Sequence, residues 1–345
     1  MFFIVTIFLL IIILCSAKPD NAFLDKKFTV PLIGALMIIV VLHHILDVIG
    51  YPNHFTWFKS NGILGCFFLI SGYGNWISIK KSDSISWLWK RIKRLYMIFI
   101  PAFILMTVLL LVANYLGYTN YKVDTLLFIK DFAVFSLPYT VNWFPKVFIV
   151  TIIVFYIVCK LLKNDNHRLV LLTILSVAYI IACKFCFNMV DDSCWYTTQI
   201  CFVLGCFVAK NKTRIKNKLL DLSRVKRLIL SMIVTIMIIV MFFIYFIPRL
   251  WDSRDLLQVV HALLFGTVII PLSTLFQLKS KFLQVCGENS FEIYITHLVF
   301  WKVFEPLKTN GLMYGLVVYA GTAISIFIYI NVKKIAQKKI NNKGH

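Results

Sequence analysis

Ten apolar runs, most of them near or above the ~18 nearly uncharged residues that span a bilayer, constrain this chain more than any other feature. They fall at about residues 30–49, 61–79, 95–117, 145–162, 169–187, 195–209, 228–248, 258–277, 289–306 and 311–332, and residues 2–17 form one more. Sixty per cent of the chain is hydrophobic and only 15% is charged, well away from the roughly one-quarter charged of a soluble domain. The expected fold class is therefore all-α: a polytopic integral membrane helix bundle with a ten-helix core plus one extra N-terminal helix.

Charge fixes the expected orientation. The segments 18–29, 80–94, 160–168, 210–227, 279–281 and 333–345 hold 27 of the 36 lysines and arginines, and they alternate strictly with the basic-poor loops. This is the positive-inside pattern, and it predicts a multi-pass protein of the cell membrane with a cytoplasmic C-terminus. The net charge of +21 is thereby accounted for by the lipid bilayer, and no nucleic acid partner is needed. The nine cysteines are scattered, and Cys183-x-x-Cys186 has no second pair at zinc-ribbon spacing, so neither a metal site nor a disulfide framework is expected.

Residues 1–17 read as an N-terminal transmembrane helix, a signal anchor without the basic n-region of a cleaved leader. The loop 118–144 is the longest on the outer side, and its Leu126-Leu127-Phe128 and Phe132-Ala133-Val134-Phe135 clusters predict a surface-lying or re-entrant piece. The inner segment 210–227 reads as a solvated basic loop resting on anionic lipid.

Ionisable residues inside apolar runs mark functional sites. His43 and His44 lie in run 30–49, His44 about 8 Å short of its outer end, with Asp47 one turn further on the same side. A carboxylate beside an imidazole fixes its tautomer and raises its basicity. Ser71 sits at mid-membrane in a run rich in glycine, as a packing hydroxyl, a substrate contact or a nucleophile. Arg91 and Arg94 share a helical face in the block Trp87-Leu88-Trp89-Lys90-Arg91-Ile92-Lys93-Arg94, and paired guanidinium groups suit phosphate. Tyr294 and His297 lie on one face of run 289–306, His297 about 12 Å from its inner end. Two runs that each offer a mid-membrane histidine point to a polar cavity between them.

In this order and at these topological positions, the segments resemble the acyltransferase-3 family of integral membrane O-acyltransferases. The resemblance rests on Gly34 with His44 ten residues on, on Gly65-Cys66-Phe67-Phe68-Leu69-Ile70-Ser71-Gly72-Tyr73, and on Arg91-x-x-Arg94. Trp143-Phe144 with Phe155-Tyr156, Phe202-Val203-Leu204-Gly205, and Gly287, Ser290, Tyr294 and His297 complete it. It covers a membrane acyltransferase domain at about residues 28–340. The chain departs from the family pattern at Ile33, where an arginine is expected, and in its extra N-terminal helix.

The resemblance implies transfer of an acyl group, most often acetyl, from cytoplasmic acyl-CoA to a sugar hydroxyl of a cell-surface polysaccharide or glycolipid. His44, Asp47 and His297 would be the catalytic groups. Arg91 and Arg94 would hold the CoA phosphates, and Ser71, Tyr294, Trp143 and His43 would contact donor or acceptor. No cofactor is implied beyond acyl-CoA as co-substrate. A transporter or flippase of a polysaccharide intermediate, or a catalytically inactive relative (prompted by Ile33), remain the alternatives.

Overall fold

A computed structural model describes residues 16–17, 23–50, 54–82, 84–119, 125–138, 143–187, 194–245 and 254–341. In hydrocarbon a backbone can find partners only within its own segment, which makes the helix the default for every long apolar run. The helices are α1 (Lys26–Val48), α2 (His54–Ile79), α3 (Ile85–Tyr115), α4 (Thr125–Ala133), α5 (Trp143–Leu161), α6 (Asp165–Ile181) and α7 (Cys194–Thr197). There follow α8 (Ile200–Lys210), α9 (Lys212–Asp221), α10 (Arg224–Tyr245), α11 (Arg254–Leu272), α12 (Lys281–Glu288), α13 (Ser290–Val303) and α14 (Gly311–Asn341). Caps mark two of the starts: the Asp25 carboxylate accepts from the Phe28 amide at 3.1 Å, and the Ser280 hydroxyl accepts from Leu283 at 3.2 Å.

Among the described residues the ten expected runs fall mainly on helices, with 195–209 divided between α7 and α8 and 258–277 ending in a turn before Gln277, and seven helices are long and apolar enough to cross a membrane. The helices α8 and α13 are shorter, at 11 and 14 residues, or about 17 and 21 Å. They are sheltered by protein: Cys201, Phe202 and Cys206 of α8 and Ile295, His297 and Val299 of α13 are all at most 1% exposed. Lipid meets the perimeter instead, on stripes such as Val170, Ile174, Val177 and Ile181 of α6 and Leu228, Met232, Ile236 and Val240 of α10.

Helix contact in this interior runs through glycine. A methyl group on Gly72 of α2 would collide with the carbonyl of Phe202 on α8, and one on Gly205 of α8 would collide with the carbonyl of Leu69 on α2. Gly34 of α1 and Gly287 of α12 stand in the same reciprocal relation, each blocked by the partner's backbone. Small residues let backbones approach in this way where no hydrophobic force drives helices together.

Three segments depart from the simplest reading. The basic block 87–94 lies on a helix, because α3 begins at Ile85 and carries it through its first turns. The outer loop is re-entrant: Phe128, Phe132 and Phe135 of the α4 region pack down α3 against Phe103, Phe99 and Tyr96, with Phe99 and Phe135 stacked at 4.2 Å. Phe135 takes a left-handed conformation (φ 60°) that ends α4 and buries Phe135-Ser136-Leu137 beside Phe291 of α13. The segment 210–227, read as a solvated loop, forms the basic helix α9. The N-terminal helix lies outside the described residues. Of its last two residues, Ser16 and Ala17 form β1 and pair antiparallel with β2 (Gln277–Leu278), so the chain is extended there rather than helical.

Gly205→Ala should destabilise the bundle by roughly 1–3 kcal/mol, the usual cost of overpacking. Gly74→Ala, where a methyl group meets nothing within 4 Å, should be neutral or slightly stabilising. Thermal unfolding of the purified variants in detergent checks the contrast.

Candidate active site

The helices α1 and α13 bring their histidines together. The His44 and His297 rings lie 5.2 Å apart between centroids, and His43 lies 5.1 Å from His44. His297 is completely buried. Its Nδ1 lies 3.1 Å from the carbonyl of Ile293; since a carbonyl only accepts, Nδ1 must carry the proton. The Nε2 atom is then a bare lone pair, and it has no hydrogen-bond partner among the described residues. A buried base with its tautomer fixed and its lone pair free is chemically poised.

Indole and phenol groups hold the three helices in place around these rings. Trp301 Nε1 of α13 donates to the backbone carbonyl of His44 at 3.0 Å, and the Trp301 ring meets the His44 imidazole edge-on at 5.8 Å. Tyr314 of α14 donates to the Trp301 carbonyl at 2.7 Å, and Tyr319 donates to that of Ile38 at 3.2 Å. Tyr294 contacts His297 on one side and Phe144 on the other.

At the lower end of the same helices opens a cavity of about 950 Å³, lined by Lys26, Lys27, Arg94, Lys279, Lys281 and Lys333, with Gln277, Gln284 and Glu288 among its other walls. Six cations around one cavity of nucleotide size make a site for a polyanion. The two arginines of the expected pair part company here. Arg94 lines the cavity. Arg91 turns to α2, where its Nε and a terminal nitrogen donate to Asn75 and Ser78, both at 2.6 Å, and its guanidinium lies 4.0 Å over the Trp87 ring. Arg91 is a helix clamp.

The remaining expected residues scatter. Asp47 is exposed and, among the described residues, bonds neither imidazole; the carbonyl of Ile293, acting on His297, does the orienting instead. Ser71 is half-buried on α2, where its carbonyl accepts from Asn75. Trp143 packs at the far end against Phe144 and Trp195. Ile33 packs against the apolar core. The lysines of the cavity wall were not singled out by spacing, because they come from three separate segments; their only signal was membership of the basic loops. Glu292 was also missed. It is 3% exposed, and its carboxylate faces the Tyr329 hydroxyl of α14.

A family model described as an acyltransferase domain matches residues 34–330, which includes every one of these groups except Ile33 and the wall residues Lys26, Lys27 and Lys333. No curated protein and no solved structure matches the chain.

Arg91→Ala should lower stability by about 1.5–3 kcal/mol, the loss of charged hydrogen bonds to neutral partners, and lower the melting temperature. Arg94→Ala should leave the melting temperature unchanged. Paired thermal unfolding measurements on the two variants test this division of labour.

Proposed function

The chain belongs to the acyltransferase-3 family of membrane acyltransferases, and from that premise we propose that it moves an acyl group, acetyl first among them, from acyl-CoA to a sugar hydroxyl of a cell-surface polysaccharide or glycolipid. The observation that carries this reading is the meeting of two intramembrane imidazoles at 5.2 Å on the two helices whose lower ends flank the basic cavity, which Val30 and Pro31 of α1 and Gly287 and Glu288 of α12 help to line. The positive-inside rule places that cavity on the cytoplasmic side, where acyl-CoA is available.

The 3′-phosphate and diphosphate of the donor bind among Lys26, Lys27, Arg94, Lys279, Lys281 and Lys333, with Arg94 supplying the planar fork that suits phosphate. Lys26 lies two turns before Ile33 on the same face of α1 and offers a cation near the position where the family pattern has its arginine. The pantetheine arm extends up α1 and α13 toward the histidines. His297 Nε2 then accepts the proton of the acceptor hydroxyl as the oxygen attacks the thioester carbonyl. The C–S bond breaks, the acyl group leaves as an ester of the sugar, and the proton goes to the CoA thiolate. His44 and His43 hold the hydroxyl in line. The chemistry needs no further cofactor.

Replacing either His297 or His44 by alanine should reduce transfer from labelled acetyl-CoA in membranes at least 100-fold, the lower range for loss of a general base. Wild-type rates in both variants would remove the imidazoles from the reaction. Arg94→Ala and Lys279→Ala should each raise the KM for acetyl-CoA several-fold with little change in kcat, and the wild-type KM should climb with salt as phosphate contacts are screened. A second reading, a catalytically silent relative, draws on Ile33. It predicts that surface glycans of cells with and without the gene show the same acetyl-sized masses, whereas the transfer reading predicts their loss without it.

A further inference from the structure

The end of the bundle opposite the basic cavity holds a second set of buried polar groups that the reaction above leaves unused. Asn61 of α2 is 1% exposed, Gln258 of α11 3%, His261 of α11 2%, and Thr198, just after α7, 0%. Asn61 Oδ1, Gln258 Oε1 and Thr198 Oγ1 have no hydrogen-bond partner among the described residues. Each is an oxygen, and orphaned oxygens in a protein interior call for a donor from outside the chain or for water.

Helix register brings them together. The two helices descend side by side: Cys66 of α2 lies 3.5 Å from the carbonyl of Phe265 on α11, and Gly65 lies against Ala262. One turn further out along each helix stand Asn61 and Gln258, and the short helix α7 packs on both. The third wall is α1. Phe28, Leu32 and Leu36 line a small apolar cavity with Cys66 and Phe265, which fixes the face that α1 turns toward α2 and α11. Two turns after Leu36, His43 returns to that face. Its ring touches His44, which in turn touches His297. The polar cluster and the imidazoles are therefore joined through adjacent residues of one helix.

The cluster is neutral. Asp255, one turn further out, is taken up by Lys184 at 3.0 Å. Amide oxygens and a threonine hydroxyl accept from hydroxyl donors, and Asn61, Gln258 and Thr198 bring no fixed positive charge to a phosphate. On α7, three residues before Thr198, Trp195 lies 6.3 Å from Trp143.

We infer that Asn61, Gln258, Thr198 and His261 form the acceptor subsite, which takes a neutral polyhydroxyl ring and delivers one of its hydroxyls past His43 to His44 and His297. This rests on the transfer reaction proposed above. The acceptor's O–H groups fill the orphaned oxygens, so binding is lost when those oxygens are removed even if the volume is kept.

The test uses the full-length protein in nanodiscs, with labelled acetyl-CoA as donor. The acceptor is the host cell's surface polysaccharide, stripped of its esters by mild base. Asn61→Leu and Gln258→Met preserve volume and remove the acceptor oxygens. Both should raise the acceptor KM at least tenfold while leaving the donor KM and acceptor-independent hydrolysis of acetyl-CoA within twofold. An acceptor KM that stays within twofold, as expected if ordered water alone fills the cluster, overturns the inference, and so does a donor KM that rises in step. Equilibrium binding of the stripped polysaccharide separates this inference from the reaction it rests on. A wild-type protein that binds it without transferring acetyl, with variants that fail to bind, refutes the transfer reading and upholds the subsite.

Discussion

Backbone-to-backbone contact at Gly34 and Gly287 is the constraint on which the rest of the site depends. Lipid tails solvate leucine as well as protein does, so helices in a bilayer are held by close van der Waals approach and polar contacts rather than by burial of apolar surface. Where α1 and α12 touch, each glycine abuts the other helix's backbone, and any side chain would force the pair apart. His44 and His297 each lie ten residues beyond their glycine in segments that climb from the same end of the bundle. The α1–α12 contact anchors the start of α13, which follows α12 after the break at Asn289, and the two imidazoles meet at 5.2 Å ring to ring. The second glycine pair, Gly72 with Gly205, does the same for α2 and α8 and so sets the wall that carries Asn61, Asn75 and Ser78.

The bundle is polar at its two ends in opposite ways. One end gathers cations around a cavity; the other holds the amides Asn61 and Gln258 and the hydroxyl of Thr198, with Asp255 paired to Lys184. Between them stand imidazoles, which can accept and release a proton without a lasting charge in a medium where a fixed charge is costly. The arrangement separates a charged ligand from a neutral one and places the group that can serve both in the middle. The re-entrant segment after α4 reinforces the separation. It inserts Phe135 beside Phe291 of α13, at the cost of about 1–2 kcal/mol for a left-handed phenylalanine, and Leu137 is fully buried just after it.

Arg91 and Arg94 show how far local spacing reaches. At i and i+3 they share a helical face, which is as much as one helix can say. Whether a guanidinium meets a neighbouring helix or an open cavity depends on what packs there. Arg91 meets Asn75, Ser78 and Trp87, and Arg94 meets open space. Asp47 teaches the same lesson. Its spacing from His43 and His44 is right for an orienting carboxylate, but α1 turns it to the exterior. The orienting acceptor is a backbone carbonyl on α13, which no side-chain pattern announces. Gln258 was invisible for a related reason: a polar residue in an apolar run is remarked only when its type suggests chemistry, whereas its significance lies in a buried amide oxygen with no partner among the described residues.

The sequence by itself determined the helical, membrane-spanning class, the approximate places of the apolar helical segments, the separation of basic from non-basic loops, and that His44 and His297 each lie within an apolar run. These are properties of hydropathy and charge along one dimension, and the bilayer reads them segment by segment. Tertiary structure alone decided which faces meet, how far the loop after α3 folds back along it, which arginine lines the cavity, which histidine nitrogen is bare, and that basic residues from four segments converge on one cavity. Each of those depends on the rotation of one helix about its axis relative to another, a quantity set by collective packing between distant segments rather than by any stretch of sequence taken alone.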